Sequence, residues 1–343
     1  VLLIDEFQSF LLIGTRFIFL LRHVLGFAPF ENVAAKPKLQ QSIILRGCKI
    51  MEITLALGGG GAKGNAHIGV IRRLEKEGYQ IRSVAGTSMG GLVAIFYASG
   101  LTPSEIEEIF TSTDQGSLYV RDANDGPSLL GLSGVRKLLD TVLGDKTFDD
   151  LKIPCAVTAV DTKTGSEVVI SEGFLRDGVL ATIALPGVFP PHSLNDWELM
   201  DGGVLNPVPV TVARMLSPDL PIVAVVLNDP LDIPVRTYSI PVPSILPKQL
   251  TDRIHRLHVA QAFDIFMRAV DLSSRAVAHY RLEADAPDII VRPNVHQFDL
   301  LDKVVVKDVA LLGDAAVEMI LPELKKAVSW MNRMNKKIFG AKR

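Results

Sequence analysis

From Ile53 onward, short apolar runs alternate with stretches of helical period, the layered α/β pattern. Ile53 to Leu57 reads as a strand. Ala66 to Glu77 reads as a helix with Ile68, Ile71 and Leu74 on one face, stopped by Gly78. Ile81 to Ala85 and Gly90 to Ser99 repeat the strand-then-helix order, so two strand-to-helix turns fall close together in the chain. Thr102-Pro103-Ser104-Glu105 supplies an N-cap, a proline at the first helical position and an acid in the first turn, which predicts a helix to about Ser112. Gly116 to Gly134 is rich in Gly, Ser, Asp and Asn and reads as a loop, with a helix near Val135 to Leu143 beyond it. Strands are expected over Cys155 to Val160, Glu167 to Ile170, Ile222 to Leu227 and Ile289 to Arg292. Helices are expected over Leu175 to Ala184, Thr251 to Ala284 and, as one helix or a pair, Lys307 to Trp330. Five prolines between Asp229 and Pro247 rule out a helix or an inner strand there; the segment reads as a surface loop, or as a lid over an apolar site.

The two ends break the pattern. Phe10 to Phe30 is rich in Leu, Ile and Phe, but Arg16, Arg22 and His23 interrupt it, and a central Arg costs a membrane span about 2.5 to 3.5 kcal/mol. Asp5 and Glu6 stand where a signal peptide carries positive charge. Residues 1–50 are therefore either an interfacial amphipathic segment or a stretch upstream of a natural start at Met51, and Met51's position directly before the first strand favours the second. At the other end, Leu324, Ala327, Val328, Met331, Met334 and Ile338 recur at helical spacing, and Glu323 to Arg343 carries seven Lys or Arg against one acid. Such a basic amphipathic tail, residues 329–343 with the turn before it, suits an anionic membrane surface; a packed helix with a solvated tail explains it equally well. The domain proper is expected over 51–328.

Composition narrows the function. Of 343 residues 48% are hydrophobic and 22% charged, a globular balance, and the net charge of −2 gives no footprint for nucleic acid. Two cysteines, Cys48 and Cys155, form neither a metal-ligand cluster nor a disulfide framework, which points to a reducing, cytoplasmic setting, with the inner membrane face as the site of any peripheral contact.

Three motifs carry chemistry. Gly58-Gly59-Gly60-Gly61-Ala62-Lys63-Gly64 lies between a strand and a helix, where backbone N–H groups meet the positive end of a helix and can hold an anion. A Walker loop is excluded because Lys63 precedes Gly64 and no Ser or Thr follows. Gly59-x-Gly61-x-x-Gly64 matches a dinucleotide fingerprint, but the acid expected at the end of the second strand is missing. Gly86-Thr87-Ser88-Met89-Gly90 stands there instead, a Gly-x-Ser-x-Gly nucleophile elbow after a strand and before a helix. The third motif, Asp201-Gly202-Gly203, follows the strand-like Glu198-Leu199-Met200; alone it is an ordinary Asp-Gly turn, but an elbow serine needs a base within reach.

In this combination and order the chain resembles the patatin-like phospholipases, especially compact bacterial ones, from Met51 to about Val328. The resemblance implies a three-layer α/β/α sandwich with a mixed, mainly parallel central sheet. It implies a serine acyl hydrolase, a phospholipase, lysophospholipase or esterase, with Ser88 as nucleophile and Asp201 as its partner in a dyad. Gly59, Gly60, Gly61 and Gly64 fall on the family's oxyanion hole, Gly86 and Gly90 flank the elbow, Gly202 and Gly203 complete the partner motif, and Ala184 to Pro191 looks like the pocket wall. Neither metal nor cofactor is implied; the partner is a phospholipid, lysophospholipid or other acyl ester. Lys63 stands where an arginine is usual, which keeps the charge but loses the planar fork, and Asn65 where a small apolar residue is usual. Two alternatives stay open: a Ser-His-Asp triad using His296, in the loop Pro293 to Gln297, and a lipid-binding protein without catalysis. His67 and His192 lie inside matched segments and are given structural roles.

Overall fold

The computed structural model describes residues 51–123, 125–126, 128–238 and 258–328. The readings of 1–50, of 239–257 and of 329–343 lie outside them.

The order along the chain is β1 (Met51–Leu57), α1 (Ala66–Lys76), β2 (Tyr79–Thr87), α2 (Met89–Ala98), α3 (Pro103–Ser112), α4 (Ser133–Val142), β3 (Cys155–Asp161), β4 (Glu167–Ile170) and α5 (Leu175–Thr182). Then come β5 (His192–Leu194), β6 (Trp197–Asp201), α6 (Val210–Leu216), β7 (Ile222–Val225), α7 (His258–Asp285), β8 (Ile289–Val291) and α8 (Val306–Ala327). One eight-stranded sheet runs β5-β6-β3-β2-β1-β7-β8, with β4 also paired to β3. The ladder from β3 through β2, β1 and β7 to β8 is parallel, while β4, β5 and β6 are antiparallel additions. Helices cover both faces of this mixed, mainly parallel sheet, the three-layer architecture that the resemblance implies.

The faces are built differently because side chains alternate along a strand. On one, Ile53, Leu55 and Leu57 of β1 join Ile68 and Ile71 of α1 and Val309 and Val317 of α8 in the main core. On the other, Ala156, Ala85, Ala56 and Ala224 stand opposite one another in register across β3, β2, β1 and β7. This floor of methyl groups lets the short helix α6 pack close, through Val210, Val212 and Ala213. The sequence pattern missed α6 because seven residues between Pro209 and Ser217 hold too few turns to show a period, and missed β5 because three residues carry no alternation. Thr102 and Glu105 form the capping box at α3. Lys307 to Trp330 resolves as one helix through Ala327, despite Pro322 within it. Among the described residues no helix is long and apolar enough to cross a membrane.

Candidate active site

The site arises where two strands meet on a third. Thr158 of β3 pairs with Thr87 of β2 and with Val169 of β4; one residue on, Ala159 pairs with Val168 of β4 and with Asp201 of β6. A strand has two edges, so β2 and β6 share the edge opposite β4 and come nearly end to end there. Ser88 leaves the end of β2 and Asp201 closes β6, and the meeting of the two ends juxtaposes their side chains. Ser88 and Asp201 line the same cavity, and the serine hydroxyl pulls the Asp201 carboxyl pKa down against the effect of burial.

Each partner is held by local constraint. Ser88 has φ 55° and ψ −128°, left-handed backbone on a residue with a side chain, as an elbow requires. Its N–H donates to Thr182 Oγ1 at 2.8 Å, and Thr182 Oγ1 donates to the Thr158 carbonyl at 2.7 Å. Thr87 Oγ1 donates to the Asn206 carbonyl at 2.8 Å and lies 2.7 Å from Thr158 Oγ1. Thr87 and Thr158 meet through the sheet pairing and Thr182 comes from the end of α5, and no local spacing marks them. The chain turns so sharply after Ser88 that a Cβ at Gly90 would stand 2.3 Å from the Leu57 carbonyl oxygen and 2.6 Å from that of Gly58. We expect Gly90→Ala to cost about 1 to 3 kcal/mol in denaturant unfolding and to depress any esterase activity of the folded fraction, since the collision is with backbone that cannot swing aside.

Asp201 is 4% exposed. Its Oδ1 accepts the Gly203 N–H at 2.7 Å, and its N–H donates to the Ala184 carbonyl at 2.9 Å. Burial pushes its carboxyl up to about 6, against the opposing pull of the Ser88 hydroxyl and the Gly203 amide. Gly202 packs so tightly on β3 that a Cβ would lie 2.3 Å from Thr158 Oγ1.

The glycine turn lies beside the elbow because β1 and β2 are parallel neighbours, with Leu57 opposite Gly86. The place of a Gly59 Cβ is 3.2 Å from Ser88 Cβ. The turn is pinned from behind: Gly58 and Gly59 donate to the Val225 and Pro207 carbonyls at 2.9 Å, and Ala62 donates to that of Leu300 at 2.8 Å. Gly60 and Gly61 are left as the turn's N–H donors without an acceptor among the described residues. Of the four glycines assigned to anion binding, Gly59 thus spends its N–H on Pro207, and Gly64 makes room for Met89, whose Cγ a Cβ there would meet at 2.2 Å. His67 is fully buried, with Nε2 2.8 Å from the Gly58 carbonyl oxygen; burial drives its pKa down to about 4, so it backs the turn as a neutral ring.

Ser88, Asp201 and the turn open on a cavity of about 1010 Å³. That is the upper end of the range of about 300 to 1,000 Å³ for ligand sites. Leu92, Phe110, Val135 and Leu139 line one wall, and Leu185, Pro186 and Phe189, from the segment read as pocket wall, another. Phe266, Val270 and Asp271 of α7 line a third. Among the described residues no histidine lines it. His296 is exposed, with its carbonyl accepting from Arg236, and His192 pairs with Asp177 at 3.1 Å. His258 and His279 are exposed on α7, and His255 lies outside the described residues.

An open α/β sheet thus presents an elbow serine to a large, mainly apolar cavity. Residues 55–214 match the family model described as patatin-like phospholipase. An uncharacterized NTE family protein of Mycobacterium tuberculosis (strain ATCC 25618 / H37Rv) is 37% identical over 187 residues, 54% of this chain and 51% of that protein. Patatin-like phospholipase domain-containing protein 6 of Homo sapiens is 28% identical over 198 residues, 55% of this chain and 14% of that protein. The crystal structure of VipD from Legionella pneumophila shares the fold with a TM-score of 0.51 at 13% identity, covering 81% of this chain and 67% of that one. The chain spans about half the length of the first curated relatives it matches.

Proposed function

We propose that this protein hydrolyses fatty acyl esters, phospholipids or lysophospholipids among them, with Ser88 as nucleophile, Asp201 as its base and the Gly60 and Gly61 amides as the oxyanion cradle. The observation that carries the reading is the meeting of β2 and β6 on β3, which brings one hydroxyl and one buried carboxylate together at the wall of an apolar cavity. Asp201 takes the Ser88 proton as Oγ adds to the ester carbonyl. The oxygen that becomes negative is met by the two amides, a contribution of about 3 to 4 kcal/mol per donor in other acyl transfer enzymes. Collapse expels the alcohol, protonated by Asp201, and leaves an acyl-serine; water, deprotonated by the same carboxylate, then releases the fatty acid. A carboxylate of ordinary acidity is a poor base, and the raised pKa of Asp201 supplies what a histidine supplies elsewhere.

The test is turnover of p-nitrophenyl acyl esters and of vesicle phospholipid by wild type and Ser88→Ala; wild-type protein inert toward both ends the reading. His296→Ala separates the dyad from the triad. Its ring is exposed and outside the cavity wall, so kcat/KM within about threefold of wild type is expected. A folded His296→Ala protein without activity would overturn the dyad.

A further inference from the structure

A single carboxylate oxygen joins the glycine turn to helix α7. Asp229 follows β7 and is buried; its Oδ2 accepts from Lys63 Nζ at 3.1 Å and from Arg275 Nη2 at 3.2 Å. Arg275, buried on α7, also donates to Asp271 Oδ2 at 2.6 Å and to the Ile233 carbonyl at 2.8 Å. Lys63 lies in the short 3-10 turn Gly61–Asn65, separated from Gly60 and Gly61 by Ala62, and its own N–H closes the turn onto the Gly60 carbonyl at 3.1 Å. Its ammonium is absent from the cavity wall, being taken up by Asp229. The ammonium is therefore not among the groups that a molecule in the cavity would touch.

Ions this far from water are costly to separate, so the contact is stiff where an exposed pair would be loose. The strands and helices around it are already secured by apolar packing. What the charges add is a fixed distance between the turn and α7, whose Phe266, Val270 and Asp271 line the cavity. We propose that Asp229, acting through Lys63, is a positioning residue that aims the Gly60 and Gly61 amides at the ester oxygen, and that Arg275 ties this cradle to the helix lining the cavity. The inference rests on the acyl hydrolase reading above.

Lys63→Met tests it. The substitution leaves Asp229 paired with Arg275, so the fold persists while the turn loses its tether. Two quantities are read: steady-state hydrolysis of a p-nitrophenyl acyl ester, and the rate at which a long-chain alkyl fluorophosphonate labels Ser88, whose phosphoryl oxygen calls on the same amides. Expected are a roughly ten- to hundredfold fall in kcat and in labelling rate with KM nearly unchanged, and recovery of most of both by Lys63→Arg. Should Lys63→Met fail to fold, Lys63→Gln, which can hydrogen-bond to Asp229 without the charge, carries the same expectation. A neutral variant with wild-type kcat, or one whose loss lies wholly in KM, overturns the positioning role. Wild-type protein that the fluorophosphonate does not label removes the hydrolase reading itself, a distinct failure.

Discussion

Ser88→Ala should reduce kcat for acyl ester hydrolysis by about 10⁴-fold or more, leaving only what the amide cradle and substrate binding contribute without a nucleophile. The loss is expected to be that large because Ser88 is the serine at the elbow, at the N-terminus of α2, where developing negative charge is favoured, and beside the carboxylate that would take its proton. Folding should survive, because the serine's packing role is carried by its backbone. Its N–H, which holds Thr182, is kept by alanine, and its side chain caps nothing at the start of α2. The measurement is ester hydrolysis paired with thermal unfolding. A folded alanine variant that still turns over ester would move the nucleophile elsewhere in the cavity.

Asp201→Asn should cost activity and add stability. On the activity side, hydrolysis by wild type should fall as pH drops through about 6, where the buried carboxyl takes up a proton and ceases to act as a base. The variant should lack both the activity and that inflection. On the stability side the folded-state value, about 6, lies above the ordinary carboxylate value of about 3.9. Stability tied to Asp201 is thus fully present below about pH 4, where both states hold the proton, and is lost as pH rises through 6, because the unfolded chain ionises first. Two pH units correspond to about 3 kcal/mol. The substituted asparagine does not ionise, and its Oδ1 can still accept the Gly203 N–H. Urea unfolding at pH 8 should therefore find the variant more stable by up to about that amount, and at pH 4 the difference should vanish. A variant less stable at pH 8, or an unchanged pH profile, would remove Asp201 from the role of buried base.

The elements of the site are legible where the physics is local. The elbow shows in Gly86 and Gly90 because the turn around Ser88 leaves no room for a Cβ, and the α3 start shows in Thr102 and Glu105 because a capping box spans only three residues. The pairing of Ser88 with Asp201 follows, in the sequence, from motif order alone. Its physical cause is non-local: β6 and β2 are joined through Ala159 and Thr158 of a third strand, and nothing in the residues around Asp201 announces that register. Anion binding falls to four glycines in the sequence because a glycine run does not reveal which N–H groups are already bonded; the Pro207 carbonyl, far along the chain, takes the one from Gly59. Lys63 reads only as a positive charge kept in place of an arginine for the same reason, since its partner Asp229 is 166 positions away.

The junction on β3 also makes the geometry of the site a matter of counting. Strand positions come in steps of about 3.4 Å, and a slip of one step turns a side chain to the opposite surface of the sheet. No intermediate placement of Asp201 exists: it abuts the serine or it is gone. Changes of length in more distant loops therefore leave the pair unblurred, so long as the tally of residues along that one rail is preserved.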